Sequence, residues 1–282
     1  MKNKNRNNRA QISQETLDII EKGSYTVDAV EVELEALIAT ALANSELIRP
    51  DEHKIINPSV SHETVIELVN ETTLEGAKRL SDSLEFKRIG VLNFASAKNA
   101  GGGFLAGSQA QEESLARNSA LYATLEKHPE YYLYHRKVNK TLLYSHHMIY
   151  SADCPVFRLD DGTLLEKPYL VDFLTSPAPN RGAIEHNEPE SVEKIDTLFA
   201  ERIEYVLNLF LQKGCDALVL GAWGCGVFRN EPKKVAELFA EKLLGEGKFA
   251  SAFKHISFSI PENPKNNVNS LAFERLLKND LE

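Results

Sequence analysis

Residues 217–228 read ALVLGAWGCGVF. Four apolar residues, Ala217 to Leu220, run straight into a glycine-rich turn, and a helical pattern opens near Pro232. A short, wholly apolar run bounded by glycine reads as a strand buried on both faces. A strand, a loop and a helix in that order form the repeating unit of an α/β sheet. Toward the N-terminus the pattern recurs. Ile195 to Lys213 spaces its apolar residues as an amphipathic helix, and Tyr169–Thr175 (YLVDFLT) and Leu142–Ser151 (LLYSHHMIYS) read as strands. A helix over 111–126, the strand Ile89–Phe94 (IGVLNF), a helix over Thr73–Leu84 and a strand over Thr64–Val69 precede them. Toward the C-terminus come a helix over Pro232–Leu244, a strand over Ile256–Ile260 and a closing helix over Asn269–Leu281. This is an α/β domain with a mixed or mostly parallel sheet. Residues 14–50 read instead as helices, Gln14–Lys22 and Val27–Leu47 broken at Gly23-Ser24, and 49–61 as a connector with Pro50 and Pro58. The predicted organisation is a helical accessory segment over 1–61 and an α/β domain over 62–282.

The 282 residues are 43% apolar and 26% charged, which excludes disordered, collagenous and disulfide-scaffold classes. With 32 basic and 41 acidic residues the net charge is −9, so the overall field repels nucleic-acid phosphates and no direct DNA binding is expected. A small anion held by backbone N–H groups needs no basic side chain and stays open. Three cysteines (154, 215 and 225) without a CxxC pair argue for a reducing, cytoplasmic setting and against a structural zinc site. No apolar run is long enough to span a membrane. Met1–Ala10, basic and free of acids, reads as a solvated, frayed terminus, with an organellar transit peptide as the alternative.

Two glycine loops follow apolar strands. The first is Asn99-Ala100-Gly101-Gly102-Gly103-Phe104 and the second Gly221 to Phe228. Three successive glycines are costly to order. They make sense where the backbone needs positive φ or a ligand must come closer than a Cβ allows; a plain flexible loop is the alternative. In the second loop, successive N–H groups could form an anion nest near a helix N-terminus; a tight structural turn is the alternative. Neither loop is a P-loop or a Rossmann fingerprint. In open α/β sheets, ligands bind beyond the carboxyl ends of strands, so both loops sit where one cleft could lie.

Gln111-Glu112-Glu113 opens the helix after the first loop. Acids at a helix start are favoured by the dipole, and that alone could explain them. The alternative is chemical: glycosidic hydrolysis needs a proton donor for the leaving oxygen, and a carboxyl serves near neutral pH only if burial or a nearby negative charge raises its pKa. Adjacent helical residues point about 100° apart, so the two acids cannot share one role.

The combination GGG at 101–103, a seven-residue spacer FLAGSQA at 104–110 and QEE at 111–113 resembles the bacterial-type poly(ADP-ribose) glycohydrolases. VLNFASAKNAGGGFLAG, YSADCPVFR at 150–158, TSPAPN at 175–180 and LVLGAWGCGVF at 218–228 resemble the same family, over roughly residues 62–262. The resemblance implies a macrodomain-like three-layer α/β/α fold with a mixed sheet, preceded by a small helical N-terminal segment. It implies cleavage of ribose–ribose linkages in poly(ADP-ribose) to release ADP-ribose, end-acting, with no cofactor and no metal. ADP-ribosylated proteins are the further candidate substrates, and a monomer is expected. By this resemblance Glu113 is the general acid/base and Glu112 orients the terminal ribose, with Gln111 supporting that geometry. Gly102 and Gly103 lie against the pyrophosphate and distal ribose, and Asn99 hydrogen-bonds the latter. Gly224, Cys225, Gly226, Val227 and Phe228 form the diphosphate loop, and Glu71 is assigned to the adenine side. Two other readings stand beside it: a macrodomain that binds ADP-ribose without cleaving it, and a hydrolase removing single ADP-ribose units from protein or nucleic acid. His146 and His147 read as opposite faces of a strand rather than as a site. Trp223 reads equally as an adenine platform or as core.

Overall fold

The computed structural model describes residues 2–262 and 267–279. In chain order it comprises α1 (Lys2–Lys22), β1 (Ser24–Val27), β2 (Val30–Glu33), α2 (Glu35–Ala43), β3 (Glu46–Ile48), β4 (Val65–Val69), α3 (Thr73–Ser83) and β5 (Ile89–Phe94). There follow α4 (Gln111–Asn118), α5 (Leu121–Glu126), α6 (Pro129–Leu133), β6 (Met148–Arg158), β7 (Leu164–Ser176) and α7 (Arg181–Asn187). The chain ends with α8 (Ile195–Gln212), β8 (Ala217–Leu220), α9 (Pro232–Leu243), β9 (His255–Ser259) and α10 (Val268–Asn279). The class is α/β with strands in both directions, as the sequence pattern predicts. The predicted end of the closing helix, at Leu281, lies outside the described residues. Among the described residues no helix is long and apolar enough to cross a membrane.

The fold resolves into two compact units. One gathers Met1–Ile48, Asn93–Val138 and His147–Ser176; the other gathers Arg49–Leu92, Asn139–His146 and Pro177–Glu282. In the second, β5, β8, β9 and β4 run parallel in that order, with Ile89 opposite Ala217, Ala217 opposite His255 and Val65 also opposite His255. Leu218, Val219, Ile256 and Phe258 are buried in it together with Val206 and Phe210 of α8 and Phe239 of α9. This is the doubly covered parallel arrangement that continuous apolar runs encode. α3 opens on a reciprocal cap, Thr72 accepting from Glu75 N–H while Glu75 accepts from Thr72 N–H.

In the first unit β3, β6 and β7 are antiparallel. Here the structure corrects four expectations. Val27–Leu47 is not one helix: β1 and β2 form a hairpin turned at Asp28 and Ala29, both at positive φ (49° and 67°). Met1–Ala10 is not frayed where it is described, because α1 begins at Lys2. It is fixed by polar docking, with Arg6 Nε donating to Ala106 O (2.8 Å), Arg9 Nε to Gly107 O (2.9 Å) and Ser13 Oγ to Phe104 O (2.7 Å). The strand predicted over Leu142–Ser151 starts only at Met148 and continues to Arg158, through a register shift between Ser151 and Cys154. His146 and His147 therefore lie outside it. His146 pairs with Glu201 (3.1 Å), whereas His147 is buried against the Tyr134 ring (4.4 Å between centroids). The helix predicted over 111–126 is two helices, broken at Ser119-Ala120, where Ala120 N–H donates to Pro155 O (3.0 Å).

Candidate active site

β5 delivers the chain into the first glycine loop, and α4 brings it back. Gln111 Oε1 accepts the N–H of Phe94 at 2.9 Å, tying the first turn of α4 to the end of the strand. Glu112 turns inward and is 3% exposed. Its Oε2 accepts the Ser96 N–H at 2.7 Å and its Oε1 faces the Asn93 amide at 3.4 Å, while the Gly101 N–H adds a further donor. Burial nevertheless pushes this carboxyl up to about 8; the Glu113 charge pushes the same way and the donors oppose it. The helix dipole, which would lower it, does not prevail. Glu112 is thus predominantly a neutral acid at neutral pH.

Glu113, one position on, turns the other way and stays half-exposed. Its Oε1 accepts the Gly103 N–H at 3.0 Å. Gly101 and Gly102 both have left-handed backbones, at φ 63° and 60°. A Cβ on Gly102 would lie 2.6 Å from Glu113 Oε1 and 3.2 Å from Glu112 Oε2. The triple glycine therefore has a reason internal to the protein, which is to admit two carboxyls against the loop backbone. Asn99 is exposed, and its carbonyl accepts the Gly102 N–H at 3.0 Å, closing the turn. Asn99, Gly102, Gly103, Gln111, Glu112 and Glu113 are thus assembled in one unit.

The second loop belongs to the other unit and is built on its own logic. Gly224 (φ 74°) leaves no room for a side chain, since a Cβ would meet Ala178 Cβ and Asn230 Nδ2 at 2.5 Å each. Asn230 is buried and fixes the turn by donating to Pro179 O (2.8 Å) and Gly224 O (3.2 Å). Gly226 differs: it is exposed, and nothing lies within 4 Å of where its Cβ would be. Among the described residues the N–H groups of Gly226, Val227 and Phe228 meet no protein acceptor. Val227 is 83% exposed, and the Phe228 ring lies 6.1 Å from that of Tyr144. An exposed turn with three successive uncommitted N–H groups can receive an anion. Burial pushes the Cys225 thiol up to about 12, so it stays protonated and is no nucleophile near neutral pH.

Two residues leave the list of ligand contacts. Trp223 is fully buried, edge-on to Phe199 at 5.0 Å, and belongs to the core. Glu71 is taken up by an internal network, accepting from Arg79 Nη2 (2.8 Å) and Nε (3.0 Å) and from Ser259 Oγ (2.9 Å). Other residues go unnoticed in the sequence. Asn93 is a buried amide within the apolar strand IGVLNF, donating to Thr175 Oγ1 at 3.0 Å as well as facing Glu112. One polar residue in an otherwise apolar strand was its signal. Ser96 contributes through its backbone, which leaves no side-chain signal.

A family model described as the catalytic domain of microbial-type PARG matches residues 13–159. No curated protein matches the chain. Among solved structures, the poly(ADP-ribose) glycohydrolase of Thermomonospora curvata bound to the inhibitor ADP-HPD is 44% identical, covers 95% of this chain and 99% of its own, and superposes with a TM-score of 0.88. A second structure of the T. curvata enzyme is 42% identical over 96% of this chain and 99% of its own, with a TM-score of 0.89. The glycohydrolase of Deinococcus radiodurans in complex with ADP-ribose is 38% identical over 88% of this chain and 99% of its own, with a TM-score of 0.79.

Proposed function

This chain belongs to the microbial-type poly(ADP-ribose) glycohydrolase family, and from that premise we infer that it hydrolyses the ribose–ribose O-glycosidic bonds of poly(ADP-ribose), releasing ADP-ribose. Glu113 is our general acid/base. It gives its proton to the 2′-oxygen that leaves as the anomeric C–O bond breaks and positive charge develops on the ribose. It then takes a proton from the water whose oxygen attacks the anomeric carbon, so the carboxyl returns to its starting state and one water is consumed per bond cleaved. Glu112 orients the terminal ribose. The N–H groups around Gly224, Cys225, Gly226, Val227 and Phe228 grip the diphosphate, and Gly102, Gly103 and Asn99 adjoin the distal ribose and pyrophosphate.

The observation that carries this reading is the division of labour between the two acids. Glu112 is buried and engaged by the Ser96 N–H and the Asn93 amide, while Glu113 is half-exposed, accepts the Gly103 N–H at 3.0 Å and can reach a substrate oxygen. Cleavage from the chain end, residence in the cytoplasm and a monomeric state belong to the same proposal; three free cysteines support a reducing compartment. The test uses defined poly(ADP-ribose), with products identified by mass spectrometry. Glu113→Gln keeps the hydrogen-bonding shape and removes the titratable proton. It should abolish ADP-ribose release while titration calorimetry shows ADP-ribose binding retained. Turnover persisting in that variant would remove Glu113 from its role.

A further inference from the structure

Arg117 lies four residues beyond Glu113 on α4, one turn along the helix, and is 4% exposed. Its guanidinium reaches back. Nη1 donates to Ser108 O at 2.7 Å and Nη2 to Gln109 Oε1 at 2.6 Å. Both acceptors belong to the 104–110 spacer that joins the triple glycine to the acids, so one planar fork pins that spacer to the helix carrying Glu113. The backbone of Arg117 is itself anchored. Its carbonyl accepts from Thr16 Oγ1 of α1 (2.5 Å) and from Arg158 Nη1 (2.8 Å), and Arg158 pairs through Nη2 with Glu15 (2.8 Å). α1 also holds the spacer from its far side, through Arg6, Arg9 and Ser13.

The charges around this fork are few. Arg117 is faced by Arg9 from α1, by Asp160 from the β6–β7 turn and by Glu113 on its own helix. Glu113 is faced by Glu112 and Arg117. Burial, with Arg9 helping, lowers the Arg117 pKa to about 10, so the group remains charged near neutral pH.

We propose that Arg117 is a positioning residue for the hydrolysis: its fork on Ser108 and Gln109 sets where the glycine loop meets Glu113. The proposal rests on Glu113 acting as general acid/base. Lysine at this position keeps the charge but not the bidentate fork, and glutamine keeps neither. The experiment compares wild type, R117K, R117Q and E113Q for kcat and KM on poly(ADP-ribose), with ADP-ribose affinity and Tm measured alongside. Both Arg117 variants should lose about ten- to a hundredfold in kcat from misplacement, with KM little changed. R117K should not restore kcat, because a single ammonium cannot hold Ser108 O and Gln109 Oε1 as the planar fork does. An unchanged kcat in R117Q, a KM that rises while kcat holds, or full kcat in R117K overturns the proposal. Should R117Q fail to fold, Gln109→Ala replaces it as the test of the fork: a lowered kcat with KM little changed supports it, and wild-type kcat overturns it. Turnover in E113Q would refute the general-acid reading instead, and so separates the two failures.

Discussion

Alanine at Gly102 asks directly whether the loop exists to seat Glu113. The Cβ would lie 2.6 Å from Glu113 Oε1 and 3.0 Å from its Cδ, whereas ordinary contact begins at 3.4 Å, so the carboxyl must withdraw by about 0.8 Å. That movement stretches the 3.0 Å bond from Gly103 N–H. A typical hydrogen bond contributes ~0.5–1.5 kcal/mol, less where water can replace it, as it can at a half-exposed carboxyl. A left-handed backbone without glycine adds ~1–2 kcal/mol. Together these place the stability loss near 2 kcal/mol, roughly. The catalytic loss is a separate quantity. A displacement approaching 1 Å costs on the order of 10²-fold in rate, or roughly 2.7 kcal/mol of barrier. Initial rates at saturating polymer, with urea unfolding of the same sample, measure the two independently. If Gly102→Ala were destabilised as calculated yet kept wild-type kcat, the close seat between loop and carboxyl would have no catalytic purpose, and the argument that glycine is there to admit the acid would fail.

Gly226→Ala gives the complementary result. With open space around its Cβ position the fold should tolerate alanine, stability changing by less than ~1 kcal/mol, while ADP-ribose affinity drops because the added methyl crowds the approaching phosphate; titration calorimetry decides it, and unaltered affinity would take this glycine out of the anion loop. Glu112→Gln tests the neutral acid. Folding holds that carboxyl's pKa at about 8 against an ordinary 4.5, so its stabilising contribution is full below about 4.5 and is lost as pH rises toward 8, at up to roughly 1.4 kcal/mol per pH unit. Glutamine should remove that slope, seen as urea midpoints less dependent on pH between about 5 and 8; an unchanged slope would mean that Glu112 is ionised in the folded chain.

How far the sequence could be read depends on where the determining partner lies. β5 and β8 were legible with their bounds because a strand buried on both faces writes itself as an unbroken apolar run. The β1–β2 hairpin was not. Its turn uses Asp28 and Ala29 at positive φ, and alanine there gives no turn signal, while the alternation in Val30–Glu33 is shorter than the helical window around it. β6 was placed too early for a related reason. Asp153 at φ 49° and Pro155 look like strand breakers, yet the register shift after Ser151 carries the chain past them. The part of α1 ahead of Gln14 was hidden because what orders it is a pair of carbonyls, Ala106 O and Gly107 O, a hundred residues away. In the site, spacing showed that Glu112 and Glu113 must differ. Which one is buried depends on Asn93, Ser96 and Thr175 standing beneath the loop, and only the fold supplies that.

The same contrast explains how a chain of net charge −9 can work on a polyanion. Two ionised acids side by side would repel a phosphate-rich polymer from the place where it must be cut. Burial keeps Glu112 mostly neutral near pH 7. The phosphates can then be met by backbone N–H groups, which carry no net charge and need no counterion nearby. A basic groove would also bind the polymer, but it would bind any nucleic acid as well, with affinity falling steeply in salt. Recognition through amides and a neutral acid should instead depend little on ionic strength, which a salt series of ADP-ribose titrations checks.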